Sequence, residues 1–311
     1  MRISNLLLIS VLLMASSASG LSDPPDVPSG LSFSNIGYMD AAMWRAKTVA
    51  DHRIRYGNDL SPVQFADLRI PESDAPGAGF PVIVFIHGGA WRAQWSKDYT
   101  EALVEQLAAS GFATWDLEFR RMGHQGGGYP GTFEDVADGL DHLRVVAQDY
   151  PLDLSRVIVI GHSSGGHLAL WLIGRHNLDE SSPLHREEPL PVAGVISIAG
   201  VNDLELSLTL GNRTDVLDLA GVESLQTGRD RLAEIDPGKL LPLGVPQILF
   251  IGDGDAEWRL DMTERYQANA REAGDDVRTV LLPGANHMDV VDAKSGVAAL
   301  LAEAARELID G

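Results

Sequence analysis

Cysteine is absent from this chain of 311 residues. Its absence excludes disulfides, thiolate metal ligands, a cysteine nucleophile and a lipid-modified cysteine anchor. An exported chain without such staples must obtain its stability from a sizeable hydrophobic core. The missing cysteine therefore favours a large, well-packed globular fold over a small cross-linked one.

Positive charge is also scarce. Lysine and arginine number 24 against 44 aspartates and glutamates, so the formal net charge is −20. A field of this sign repels phosphate backbones, which predicts that nucleic acid is not a partner. The acidity does not identify a substrate, because it is equally typical of a soluble exported protein.

Long hydrophobic runs are missing as well, and the one notable run lies at the N terminus. Arg2 precedes the apolar stretch Leu6–Met14, and the small residues Ala15–Gly20 follow it. The apolar stretch is shorter than the ~20 residues that span a bilayer. This order predicts a cleavable signal peptide over residues 1–20, with an uncleaved amphipathic anchor as the alternative. We therefore expect a secreted or periplasmic protein with no stable membrane anchor after cleavage.

The rest of the chain alternates buried strands with amphipathic helices. A Pro-, Gly- and Ser-rich leader over residues 21–47 precedes a single domain over residues 48–311. Continuous apolar strands such as Pro81–His87 are typical of parallel sheets covered on both faces. We predict an α/β fold with a mostly parallel central sheet, helices on both faces and a short insertion after the fourth parallel strand, at about residues 202–239. The helix predicted over Thr132–Tyr150 begins with Thr132 as its cap.

The sequence Gly161-His162-Ser163-Ser164-Gly165 stands between a predicted buried strand and a predicted helix. Glycines on both sides allow the tight strand-to-helix turn that raises a serine hydroxyl above the sheet. This context predicts Ser163 as a nucleophile. It also predicts the Ser164 N–H as a donor to a developing oxyanion, because that amide begins the helix.

His87-Gly88-Gly89-Ala90-Trp91 ends an earlier buried strand. Two adjacent glycines let the backbone bend so that amides point at a reacting carbonyl. We expect the N–H groups of Gly89 and Ala90 to complete the oxyanion hole. A plain strand-end turn is the alternative, and the serine motif downstream makes it the weaker one.

A serine nucleophile needs a histidine base that an acid orients. His287 follows the last predicted strand, so it lies at the same sheet edge as Ser163, unlike the histidines inside predicted helices. The sequence after the preceding strand offers Asp253 and Asp255. We prefer Asp255, because it lies at the tip of that loop.

These motifs, HGGAW, GHSSGGHLALWL, GDGD and GANH, resemble those of the α/β-hydrolase superfamily. The resemblance covers Val63–Ile309. Within the superfamily, the motifs are most similar to the esterase branch that contains carboxylesterases, acetyl-xylan and feruloyl esterases and kynurenine formamidases. It implies a Ser163–Asp255–His287 triad, with Gly89, Ala90 and Ser164 as oxyanion donors. The HGG is followed by Ala-Trp rather than by a third glycine, which favours the formamidase-like and small-ester members.

The sequence thus predicts a serine hydrolase that cleaves a carboxylic ester with a small acyl group, without metal or cofactor. Its expected partner is a small-molecule or carbohydrate ester. The alternatives are an arylformamide hydrolase, a prolyl-oligopeptidase-like peptidase and a hydrolase-fold binding module. Loop residues are the natural substrate contacts; the candidates are Trp91, Trp95, Tyr129, His124 and the insertion.

Overall fold

A computed structural model describes residues 30–41, 48–57 and 61–311. The predicted signal peptide, residues 1–20, and much of the leader lie outside the described residues. No helix in the described part of the chain combines the length and the apolar character needed to cross a membrane.

Eight strands of the described chain form one sheet in the order β1-β2-β4-β3-β5-β6-β7-β8. The first two strands join antiparallel, whereas β3 to β8 are parallel to one another. The strands are β1 His52–Arg55, β2 Phe65–Arg69, β3 Phe80–Ile86, β4 Ala113–Glu118, β5 Leu152–His162, β6 Gly194–Ile198, β7 Gln247–Gly252 and β8 Val277–Leu282. The predicted mostly parallel sheet is therefore confirmed.

Helices connect the parallel strands and cover both faces of the sheet. They are α1 Tyr38–Ala41, α2 Glu101–Ala109, α3 Gly131–Asp141, α4 Leu143–Val146, α5 Ser164–Gly174, α6 Leu204–Gly211, α7 Asp215–Ala220, α8 Arg229–Ile235, α9 Glu257–Ala273 and α10 Val297–Asp310. The insertion after the fourth parallel strand is confirmed, since α6, α7 and α8 lie between β6 and β7.

Strand β3 shows why the central strands have no polar face. Val82, Val84 and Ile86 pack on the side of α3 and α5, while Ile83 and Phe85 pack on the side of α2 and α10. All five side chains are fully buried. A strand with helices on both faces must be apolar at every position, which explains the unbroken hydrophobic run in the sequence.

The predicted Thr132 cap is wrong. Helix α3 follows Pro130, and the Thr132 hydroxyl instead donates to the Arg120 carbonyl and accepts from the Gly128 N–H. The Thr132 side chain thus ties the glycine-rich loop to the helix. The Thr132 hydroxyl therefore makes its hydrogen bonds to the backbone of a neighbouring loop instead of capping the first turn of the helix. The local sequence did not indicate this partner.

Candidate active site

The turn from β5 to α5 holds Ser163 in a strained backbone conformation, with φ 55° and ψ −119°. Non-glycine residues rarely adopt such angles, and they concentrate at functional sites. The flanking glycines are required by contact: a Cβ on Gly161 would lie 2.1 Å from the Gly165 carbonyl oxygen, and one on Gly165 would lie 2.1 Å from the Ile86 carbonyl oxygen. The sequence therefore folds here only with glycine at both positions.

The three predicted triad residues are brought together from three separate loops. His287 Nε2 lies 3.0 Å from Ser163 Oγ, and His287 Nδ1 lies 2.6 Å from Asp255 Oδ2. Asp253 does not take part, because its carboxylate accepts the Gly284 N–H at 2.6 Å. The choice of Asp255 over Asp253 agrees with this geometry.

The tautomer of His287 follows from its partners. A carboxylate only accepts, so Nδ1–H donates to Asp255 and Nε2 is left to accept the Ser163 hydroxyl. Burial, and then the positive charge of Arg259, lower the pKa of His287 to about 4, although Asp255 opposes the shift. The imidazole is therefore neutral and able to accept a proton at neutral pH.

Asp255 stays ionised beside this neutral ring. Burial alone would raise its pKa, but the hydrogen bond to His287 and the charge of Arg259 bring it below the ordinary value. The carboxylate also accepts the Ala256 N–H at 2.7 Å. Asp255 is thus a fixed anion that orients the imidazole and stabilises any imidazolium that forms.

The predicted oxyanion donors surround the serine. Gly89 and Ala90 both have positive φ, 116° and 52°, and both line the same cavity as Ser163. The next amide is engaged elsewhere, because Trp91 N–H donates to Ser164 Oγ at 3.3 Å. Ser164 is the first residue of α5, so its N–H lacks a partner within the helix. These residues therefore lie beside the nucleophile, and the role of their amides as oxyanion donors stays a prediction.

A buried hydrogen-bond chain links the two sides of the site. Gly88 N–H donates to the Tyr99 hydroxyl at 2.7 Å, and that hydroxyl lies 2.7 Å from His162 Nδ1. His162 Nε2 lies 3.0 Å from the His287 carbonyl oxygen. Since a carbonyl only accepts, His162 donates from Nε2 and its Nδ1 accepts from Tyr99. The chain fixes the glycine loop relative to the base.

These residues open onto a cavity of about 200 Å³. It is lined by Tyr38, Gly89, Ala90, Trp95, Tyr99, His162, Ser163, Arg213, Arg259, His287 and Met288. Its volume lies below the roughly 300–1,000 Å³ of common ligand pockets. Nowhere in the described chain do three His, Cys, Asp or Glu side chains cluster so that they could hold a metal ion.

The N-terminal segment forms one wall of this cavity. Buried Asp289 accepts the N–H groups of Ser34 and Ile36 with one carboxylate oxygen and the Asn286 N–H with the other. The segment is thereby tied to the loop that carries the base. The Tyr38 ring then stacks on His287, with 5.3 Å between the ring centroids.

Two of the expected substrate contacts are not brought to this cavity, which corrects the prediction. Trp91 is 1% exposed, and its indole N–H donates to His167 Nδ1 at 3.1 Å. The Tyr129 hydroxyl donates to Glu234 at 2.6 Å and faces a separate groove. Of the aromatic candidates, Trp95 lines the cavity.

Sequence reasoning did not single out six lining residues, although the insertion that holds Arg213 was a candidate: Tyr38, Tyr99, His162, Arg213, Arg259 and Met288. The spacing could have indicated Arg259, because it lies four residues after Asp255, about one helical turn further along the chain. Arg213 and Tyr38 come from the insertion and the leader, whose positions depend on tertiary packing.

One family model and several known proteins are similar to this chain in sequence. A family model described as BD-FAE matches residues 67–229. Esterase LipC of Mycobacterium tuberculosis is 28% identical over 262 residues, which cover 81% of this chain and 63% of LipC. A probable isoprenylcysteine alpha-carbonyl methylesterase of rice is 25% identical, over 76% of this chain and 57% of its own. The chain thus spans about three fifths of the length of these curated relatives.

Solved structures show the same fold. A truncated carbohydrate esterase from gut microbiota superposes with a TM-score of 0.72 at 20% identity, covering 85% of this chain and 97% of its own. Esterase B of Lactobacillus rhamnosis superposes with a TM-score of 0.69 at 17% identity, covering 83% of this chain and 85% of its own. The chain therefore has the α/β-hydrolase fold.

Proposed function

Because the chain belongs to the BD-FAE family, we propose that it is a serine hydrolase that cleaves carboxylic esters. The expected likeness of the chain to esterases is confirmed by its curated relatives. The observation that carries the proposal is the aligned set Ser163–His287–Asp255, with distances of 3.0 Å and 2.6 Å. Such a set turns a weak hydroxyl nucleophile into an effective one.

The proposed reaction runs through an acyl-enzyme. His287 takes the Ser163 proton as the hydroxyl attacks the ester carbonyl, and the N–H groups of Gly89, Ala90 and Ser164 bind the oxyanion. The imidazolium then protonates the leaving alcohol. Water, activated by the same imidazole, attacks the acyl-enzyme, and the acid is released with Ser163 restored.

The shape of the cavity supports a small acyl group. About 200 Å³ is shared between the acyl and leaving groups. The aromatic ring of Trp95 and the rings of Tyr38 and Tyr99 confine this space, and they restrict long acyl chains. We therefore expect acetyl and similar short esters to be better substrates than long-chain esters.

The test is hydrolysis of a series of p-nitrophenyl esters by the purified protein and by Ser163→Ala. We expect kcat/KM to fall from acetate to longer chains, and the variant to lose at least ~10⁴-fold in kcat. A fluorophosphonate should label Ser163 in the parent protein. Acetylated xylan and N-formylkynurenine, assayed in parallel, distinguish an ester substrate from an arylformamide.

Two results would contradict the proposal. Turnover that survives Ser163→Ala would place the chemistry elsewhere. No turnover of any ester, together with no labelling of Ser163, would favour a binding module that keeps the hydrolase fold.

We also propose that the protein is exported. The support is the sequence of residues 1–20, with Arg2, the apolar run Leu6–Met14 and the small residues Ala15–Gly20. Expression of the full chain in a Gram-negative host should give a periplasmic protein whose intact mass lacks about the first 18 to 20 residues. A full-length mass in the cytoplasmic fraction would show that the segment is not processed.

A further inference from the structure

The charges at the cavity are opposite to those of the molecule as a whole. The chain carries a net charge of −20, yet the cavity is lined by two arginines, Arg213 and Arg259. Among the described residues, no aspartate or glutamate lines it. A neutral ester would gain nothing from this arrangement, whereas an anionic one would be attracted to it locally.

Both guanidinium groups are held in place by packing. The Arg259 guanidinium carbon lies 4.5 Å from the centre of the Trp258 ring, and that of Arg213 lies 5.5 Å from it. Both arginines therefore contact the indole of Trp258, at the side of the cavity formed by the insertion and α9. Arginine stacked on an aromatic ring keeps its planar donors pre-organised.

The two arginines differ in how fully the protein engages them, and Arg213 keeps part of its guanidinium uncommitted. Asp215 binds Arg213 through Nε and Nη2, so Nη1 takes no part in that pair. Arg259 donates from Nη1 to the Ala199 carbonyl at 3.0 Å, and its Nε lies 3.6 Å from Asp255 Oδ1. Arg259 also donates a hydrogen bond to the Tyr38 hydroxyl, which lines the same cavity.

The positive charges also act on the base. Arg259 and Arg213 both lower the pKa of His287, because a positive charge nearby disfavours the imidazolium. An anion bound between them would offset this field and favour the imidazolium that forms during the reaction. Anion binding and catalysis would then reinforce each other.

We propose that the preferred substrate is an ester that carries a carboxylate near the scissile bond, with Arg213 and Arg259 as the carboxylate subsite. This inference rests on the proposed esterase function and narrows its substrate class. Guanidinium groups match carboxylates in geometry, and a charge-assisted hydrogen bond is stronger than one between neutral groups. The Tyr38 hydroxyl, beside Arg259, completes the polar wall.

The experiment compares esters of closely similar size and shape that differ in charge, with each kcat/KM divided by the rate constant for alkaline hydrolysis of the same ester. With the carboxylate on the leaving group, the pair is para-acetoxybenzoate and para-acetoxybenzamide. With the carboxylate on the acyl group, the pair is the monomethyl ester of terephthalic acid and methyl para-carbamoylbenzoate. In the para arrangement the carboxylate cannot reach the ester, so it cannot assist hydrolysis by itself. We expect kcat/KM to be about tenfold higher for the anionic member of at least one pair.

Variants then locate the source of the preference. Arg213→Gln should reduce the anionic-to-neutral ratio of kcat/KM to near one, and Arg213→Lys should restore part of it. Arg156→Gln is the matched control: it removes one positive charge that Asp153 binds outside the cavity, and it should leave the ratio unchanged. Thermal unfolding of each variant verifies that it is folded.

The outcomes separate this inference from the proposed function. If p-nitrophenyl acetate is hydrolysed in a Ser163-dependent manner but the neutral member of both pairs is equal or better, the carboxylate subsite is wrong while the esterase stands. An anionic preference that Arg156→Gln reduces as much as Arg213→Gln would also overturn the subsite. Failure to hydrolyse any ester would overturn the function on which it rests.

Discussion

The nucleophile and the acid–base pair are held by two different kinds of structure. The nucleophile turn is built from neighbouring backbone: Gly161 and Gly165 pack against main-chain atoms of β3 and α5 at distances that leave no room for a Cβ. Asp255 and His287 instead lie on the loops that follow β7 and β8. Side-chain contacts hold that second region: Asp289 binds the backbone of the N-terminal segment, and Arg259 lies 3.6 Å from Asp255.

The nucleophile turn is therefore a rigid region, whereas the loops that carry Asp255 and His287 form an adjustable region. A change in the nucleophile turn displaces backbone in the centre of the sheet, so it affects folding and catalysis together. A change around His287 alters hydrogen bonds and charges, so it affects catalysis while the sheet remains intact. Substitutions in the two regions should therefore differ in whether activity and stability are lost together.

The largest effect is expected at the nucleophile turn. In Gly165→Ala the new Cβ would lie 2.1 Å from the Ile86 carbonyl oxygen and 2.5 Å from that of His87. We expect a loss of stability of about 4 kcal/mol or more, since backbone must move, and a loss of most folded protein. Chemical denaturation measures it. Gly77→Ala is the control, because nothing lies within 4 Å of its added Cβ; equal midpoints for the two variants would contradict the steric argument.

The next effect is expected at the acid, where activity should fall without unfolding. Asp255→Asn removes the charge that fixes the tautomer of His287, and kcat should drop by about 10⁴-fold. The midpoint of thermal unfolding should stay within a few degrees of the parent. Asp253→Asn is the matched control in the same loop, and it should keep kcat within tenfold. A similar loss of kcat in both variants would show that Asp255 has no special role.

An intermediate effect is expected for the hydrogen-bond chain that joins the two regions. Tyr99→Phe leaves the Gly88 N–H and His162 Nδ1 without a partner, which costs about 1–3 kcal/mol of stability. Because both the glycine loop and the His287 carbonyl depend on this chain, we expect kcat to fall about tenfold with little change in KM.

Tyr266→Phe controls for the loss of a buried hydroxyl, since Tyr266 donates to Gln247 in the core. That variant should lose stability but retain kcat. If both variants lose stability and neither loses kcat, Tyr99 has a structural role alone.

The sequence predicted the nucleophile turn well because the determinants of that turn are local. A buried strand, two glycines and a helix specify the backbone at Ser163, and all of them lie within a short stretch of chain. The order of Ser163, Asp255 and His287 followed from strand ends that share one sheet edge. The limits of β3 were predictable to within one residue, since both of its faces are covered, whereas β5 begins four residues before the apolar run at Arg156 because its first half is only partly buried.

The walls of the cavity could not be predicted in the same way. Arg213 belongs to an insertion and Tyr38 to the leader, and both reach the site only through packing with distant residues such as Asp289 and Trp258. Trp91 shows the converse. Its place beside the HGG turn indicated a substrate contact, but its indole instead packs against His167 in the core.

The smallest effect is expected in the pH dependence of the adjustable region. Burial and Arg259 lower the pKa of His287 to about 4, and the reaction requires the neutral base. The value of kcat/KM for a neutral ester should therefore stay level as pH falls through 6.5 and decline only near pH 4.

Removing the positive charge in Arg259→Gln should move this acid limb to higher pH, because the imidazolium is then less disfavoured. Arg259→Lys keeps the charge and should keep the limb near its original place. A limb at the ordinary histidine value in the parent protein, unmoved by Arg259→Gln, would show that the field of the arginines does not reach His287.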